Sequence, residues 1–279
     1  MDGGSAERAD ADVRSAVLLL TRRDHPDMDT NFDAHIQQAR WAVRRWAAFP
    51  VDAAPRPLVL AGPAITSERG FRSWEAKDAW FDGRYEWAVE VPEGVRLRAR
   101  RSADQGRQAP ASEALRITHA GLGEREFLTD RGPVVLPAYW LRGPAIQRSL
   151  WVLDPAIEFW EPPEGAAGAP PPAPTQGQPL LWPIEIGPDG QSIVVPWLGS
   201  HPEVETYPWV EIIETPTAIC AVGARKDMGY QGWLTAVGIK HRIPGRLNEP
   251  LGNRVCVDLH GHAMQVTSTT ELGQTGLEG

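Results

Sequence analysis

Cysteine is almost missing from this chain: its 279 residues contain two, Cys220 and Cys256. They do not form a Cys-x-x-Cys pair, which removes a thioredoxin-like redox motif. Both lie in apolar β-branched runs, so a reduced, buried pair is the expectation, with one cross-strand disulfide as the alternative that geometry would have to allow. Also absent are a Gly-x-Ser-x-Gly elbow, a phosphate-binding P-loop and a Gly-x-Gly-x-x-Gly fingerprint. Their absence takes away the usual hydrolase and nucleotide signatures without excluding an enzyme. Long apolar runs are missing too. Val17-Leu-Leu-Leu20 is much shorter than a secretory h-region or a membrane span, so the expectation is a cytoplasmic protein with no integral membrane span. Positive charge is scarce: a net charge of −8 argues against nucleic acid and against anionic membrane as partners. The one basic run, Arg96-Leu-Arg-Ala-Arg-Arg101, has no interleaved aromatics and reads as a solvated loop or strand face.

What is present suffices for a folded chain. Apolar content of 42% and charged content of 23% are ordinary for globular proteins, and the length allows two domains or one large one. Pro162-Pro-Glu-Gly-Ala-Ala-Gly-Ala-Pro-Pro-Pro-Ala-Pro-Thr-Gln-Gly-Gln-Pro179 marks the clearest boundary. Proline favours extended polyproline II there and the small residues leave nothing to pack, which reads as a semi-extended linker. The reading is therefore an α+β N-terminal domain (12–161), a Pro-rich linker (162–179) and an all-β, sandwich-like C-terminal domain (180–268), with tails at 1–11 and 269–279.

In the first half one helix stands out. Thr30-Asn-Phe-Asp33 resembles a capping box, and Phe32, Ile36, Ala39, Val43 and Trp46 form one apolar stripe that ends at Pro50. Pro57–Leu60 reads as a strand, and Ser73–Phe81 as a short helix closed by Asp82-Gly83. Strands are expected at Glu124–Leu128, Val134–Leu141 and Leu150–Leu153. The last third is a succession of short β-branched runs: Trp209–Glu214, Ala218–Val222, Leu234–Ile239, Arg254–Asp258 and Ala263–Thr267. Turn formers separate them, the pattern of an antiparallel sandwich or barrel.

Several of these segments carry a resemblance. Glu214-Thr-Pro-Thr217, Thr235-Ala-Val-Gly238 and Pro250-Leu-Gly-Asn-Arg-Val-Cys-Val-Asp258 in the last third are its main marks. Ala39-Arg-Trp-Ala-Val-Arg-Arg-Trp-Ala47, Leu58–Ala61, Trp74-Glu75 and Pro137-Ala-Tyr-Trp140 in the first half match more loosely. Together they resemble a group of uncharacterised actinobacterial two-domain proteins, many secreted or lipid-anchored, that end in a β domain. The resemblance implies that architecture and no catalytic role, since the group has no established activity. This chain departs from the group in showing no export signal, no asparagine-rich segment and no additional cysteines.

Two kinds of site can be read from the residues. Cys256-Val-Asp-Leu-His-Gly-His262 would, on an unbroken strand, place Cys256, Asp258, His260 and His262 on one face, a ligand set that suits zinc, with His241 and His201 as outside contributors. Asp258 and Gly261 are turn residues, however, which ends the strand at Asp258 and makes Leu259–His262 a hairpin tip. Asp24–Asp33 mimics a calcium loop at alternate oxygens but has Phe32 where glycine is needed and Gln38 where a bidentate glutamate belongs, so it reads as an acidic helix cap. The chain also has 12 tryptophans. Trp41, Trp46, Trp74, Trp80 and Trp140 fit buried patterns. Trp182, Trp197, Trp209 and Trp233 fall in the small β region, more than it needs for a core, and are candidate ligand-binding residues. These features favour a non-catalytic binding or interaction protein, without cofactor, that recognises a protein, peptide or glycan through its β domain. The alternatives are a metal-dependent hydrolase built on Asp258, His260 and His262, and a structural component of a larger assembly.

Overall fold

The computed structural model describes residues 32–67, 70–101, 114–171, 182–230 and 238–269. Within them the chain is mainly β, with three helices. The first half runs α1 (Phe32–Arg45), β1 (Ile65–Ser67), α2 (Trp74–Phe81), β2 (Tyr85–Trp87), α3 (Glu93–Arg101), β3 (Leu115–Ile117), β4 (His119–Thr129), β5 (Gly132–Arg142) and β6 (Leu150–Leu153). The second half is β7 (Ile184–Ile186), β8 (Ser192–Gly199), β9 (Glu205–Glu214), β10 (Ala218–Asp227), β11 (Ile239–Arg246), β12 (Val255–Val257) and β13 (Val266–Ser268).

Helix α1 buries a wider face than its single stripe, because Trp41 and Ala42 are covered along with Ala39 and Val43. It is enclosed from two directions. One side packs on β10 and β9. On the other, the Trp41 indole donates to the Gly168 carbonyl (3.2 Å) and Trp46 lies 4.7 Å from Trp160. Residues 163–168 therefore do not run extended: they make two successive turns, and Ala167 packs against the core. Thr30, the expected cap, lies outside the described residues. Helix α2 is capped by Ser73, whose hydroxyl accepts the Ala76 N–H, and ends at Asp82 before Gly83 at φ +66°. Trp74, expected to be buried, is the first residue of α2 and 73% exposed, with the Lys77 ammonium over its ring.

The basic run is helical rather than loop or strand. In α3, Val95 and Ala99 fall four apart and are buried, and Arg98 donates to the Leu153 and Asp154 carbonyls. Arg98 thereby fixes the end of β6. Pro57–Leu60 forms no strand beyond a single bridge from Leu60 to Thr129, because its other backbone bonds go to Asp130 and Trp160.

The first sheet is antiparallel, in the order β1-β6-β5-β4. The second half forms two sheets, β12-β10-β9 and β11-β8-β7-β13. They are not wholly antiparallel, since β10 pairs with β12, and β7 with β13, in parallel. The chain leaves β10 for β11 in the other sheet before returning at β12, and that crossover restores the strand direction. Ala218–Ala224 of β10 is buried on both faces, by α1 and by the facing sheet, which explains a continuous apolar run in place of alternation. The β-rich character of the second half was legible, but its core also takes in Trp46, Phe49 and Val59 from the first half.

The two halves are joined at Asp130, in the β4–β5 turn. Its carboxylate takes both Arg56 guanidinium nitrogens, its N–H donates to the Val59 carbonyl, and its own carbonyl accepts from Val266 of β13. Next to it, Arg131 donates to the carbonyls of Gly252 (2.8 Å) and Arg254 (2.9 Å).

Trp46 is 2% exposed and donates to the Gly261 carbonyl. Trp46→Ala is expected to cost about 3–5 kcal/mol of stability in urea unfolding. Trp74→Ala should change stability by about 0.5 kcal/mol or less, and equal effects at the two positions would contradict this packing.

Candidate functional site

Strand β12 ends at Val257, and Asp258–His262 is a tight turn, as the turn residues implied. The Asp258 carboxylate closes it: Oδ1 accepts the N–H groups of His260 and His262 (both 2.8 Å), and Oδ2 lies 3.3 Å from His262 Nδ1. The turn is pressed onto α1. Arg45 donates to the His260 carbonyl, and a Cβ on Gly261 (φ +75°) would sit 2.9 Å from Arg45 Cδ. Glycine is required there both by φ and by the close approach.

Asp258, His260 and His262 are thus brought together, while Cys256 and His241 are not. Cys256 is buried beside Ile219, and Cys220 beside Val257, so the two free thiols point to opposite faces of their sheet. Burial pushes both thiols up, Cys256 to about 12. His241 lies elsewhere, its Nε2 2.8 Å from the Ser200 carbonyl and its ring against Tyr207. His201 is exposed and pairs with Glu203. Among the described residues no three His, Cys, Asp or Glu side chains gather as a metal-binding group. The Asp24–Asp33 segment falls almost wholly outside them.

The four candidate tryptophans separate as well. Trp197 is 5% exposed, part of the core against Tyr207. Trp182 is half-buried beneath the Lys240 ammonium, and Trp209 is half-buried on β9. Trp233 lies outside the described residues. Around Trp197, Glu205 is buried and accepts from the Ser200 N–H and the Tyr207 hydroxyl while pairing with Arg225. Burial first, then the charge and hydrogen bond of Glu205, raise the Tyr207 phenol well above its usual range. This polar knot ties the end of β8 to β9.

Exposed apolar surface gathers instead on β4 and β5. Leu122 and Val135 are each 60% exposed, with Leu128 at 41%. The register sets Leu122 opposite Tyr139, Glu124 opposite Pro137, Glu126 opposite Val135 and Leu128 opposite Pro133, all on one face. The other face carries Gly121 and Gly123, on which the Trp140 and Trp151 rings lie: a Cβ at Gly121 would come within 2.5 Å of Trp140. None of these outer-face residues was read as a binding residue from the sequence. The signal was there, as Leu122-x-Glu124-x-Glu126-x-Leu128 alternates, but the glycines between weaken any strand reading and shortened it to Glu124–Leu128. No helix among the described residues is long and apolar enough to cross a membrane.

Comparison with protein-family models, curated proteins and solved structures returned no match. The reading of this chain therefore rests on its own geometry.

The turn at Asp258 makes a testable claim. Burial pushes its carboxyl up, but the hydrogen bonds and charge of His262, with help from His260, outweigh this and hold it below 3.8. The bond to Asp258 raises the His262 imidazole above 6.5 against some desolvation. The pair's contribution is therefore complete between those values, is lost as pH rises through the raised His262 value, and is lost as pH falls through the lowered Asp258 value. Because the His262 side chain is 70% exposed, solvent screening keeps this term small. Urea midpoints of wild type should fall slightly relative to His262→Ala between about pH 6 and 8; parallel curves would contradict the pairing. Asp258→Ala, which strands two N–H donors, should cost about 1–3 kcal/mol and Asp258→Asn much less.

Proposed function

We propose that this chain is a non-catalytic binding protein that docks a protein partner on the β4–β5 hairpin. The observation that carries the reading is the exposed face of Leu122, Leu128 and Val135, on adjacent strands around Glu124 and Glu126. Each large aliphatic side chain brought from water into a contact contributes about 1.5–3 kcal/mol, and side chains grouped on one face can be covered by one partner. The carboxylates between them supply specificity and steer the approach. The support lies on the first sheet rather than on the tryptophans of the second half, because Trp197 belongs to the core.

Panning a random peptide library on the full chain, with the Leu122→Ser/Val135→Ser double variant as competing bait, tests this reading. Selected peptides are expected to prefer wild type by roughly tenfold or more. Peptides that bind both baits equally, or no enrichment at all, would contradict it.

A further inference from the structure

Strand β4 is the outermost strand of its sheet. Which of its backbone groups face outward follows from its partner. Pro133 and Pro137 of β5 lack an N–H and stand opposite Leu128 and Glu124, so those pairs exchange no hydrogen bonds. The Leu128 carbonyl indeed points away from β5, accepting the Ala61 N–H at 2.9 Å. With a period of two, Leu122, Glu124 and Glu126 turn their N–H and C=O groups the same way. Among the described residues no backbone group pairs with these three.

Proteins normally blunt such an edge. The other long outer strands here do so: β9 contains Pro208 and faces a register break between Ala224 and Lys226, and β11 contains Pro244. Over its 11 residues β4 has no proline, no lysine and no register break. Among the described residues it is the long edge left open for pairing, and the side chains flanking the open backbone groups are the exposed Leu122, Glu124 and Glu126. Neither glutamate makes an ion pair with a described residue.

The charges select the occupant. A second copy of β4 added antiparallel would set Glu124 against a glutamate or against an apolar residue, and in no register against a cation, since that face carries only Ala120, Leu122, Glu124, Glu126 and Leu128. Resting on the binding reading above, we infer that β4 accepts an extended segment of a partner protein as a fifth strand, antiparallel, with the pattern basic-x-basic-x-aliphatic. The two basic side chains face Glu126 and then Glu124, and the aliphatic one faces Leu122. Main-chain bonds to the three outward residues hold the segment, and the alternate side chains give specificity.

The probe is an acetylated, amidated heptapeptide, Thr-Lys-Thr-Arg-Thr-Ile-Thr, titrated into the full chain by fluorescence anisotropy with amide exchange read in parallel. Saturable binding is expected, with exchange slowed at Leu122, Glu124 and Glu126 and unchanged at Gly121, Gly123 and Arg125, which already bond to β5. N-methylation of alternate residues of the peptide, which leaves the protein untouched, should weaken binding by roughly tenfold or more. Glu124→Lys/Glu126→Lys should reverse the preference toward a peptide with glutamates in the basic positions. Binding that survives both N-methylation and scrambling, or protection that appears elsewhere, overturns strand addition. Library peptides that bind the hairpin without alternating basic residues would sink this inference and spare the binding reading; no hairpin binding by any peptide would sink both.

Discussion

The carboxylate of Asp130 is the constraint on which the arrangement depends. It is 1% exposed, and a charge so placed is tolerable because Arg56 meets it with two nitrogens and Arg131 lies 3.7 Å from it. That pairing fixes a β-turn at the point where segment 56–60, β13 and the 250–254 loop converge. Arg131 and Arg254 extend the seam, the latter through Glu214 and the carbonyls of Glu249 and Pro250. Around this seam the buried ions serve backbone carbonyls as much as one another, so breaking one pair frees several chain segments at once.

The seam also explains why the edge of the first sheet is held outward. The β4–β5 hairpin is clamped at its turn by Asp130 and at its base by the β5–β6 ladder. Between these points, among the described residues, β4 is paired on one side only. Its inner face is filled by Trp140 and Trp151 lying over Gly121 and Gly123, and a side chain at Gly121 would collide with the Trp140 ring. The glycines let the indoles lie close against the strand, and the outer face carries leucine and glutamate into solvent. Rigidity below and openness above are the requirements of a strand-addition surface.

Much of this was legible in the sequence, and what was not has identifiable causes. The stripe from Phe32 to Trp46 located α1, and Asp258 with Gly261 marked the turn that ends β12. Strand β10 was visible as an apolar run, but nothing local showed that α1 covers one of its faces, because that contact spans the length of the chain. The basic run from Arg96 was misread since charge dominated its pattern; Val95 and Ala99, four apart, were the helical signal. Strand β11 escaped notice because Pro244 and Gly245 interrupt it, as suits an outer strand. The acidic and imidazole groups near Cys256 suggested ligands on an unbroken strand, but Asp258 and Gly261 already marked the turn that takes them off it, and the strand ends at Val257. The outer face of β4 depends on which sheet edge stays open, a property of topology rather than of any residue.

Coupling through Asp130 is most directly tested by urea unfolding followed through amide exchange at Leu141 and Val152 in the first sheet and at Val222 in β10. Wild type should lose protection at all three with one midpoint, and Asp130→Ala should release the first sheet at lower urea than β10. Separate midpoints in wild type, or a variant that still unfolds in one step at the wild-type midpoint, would contradict the account.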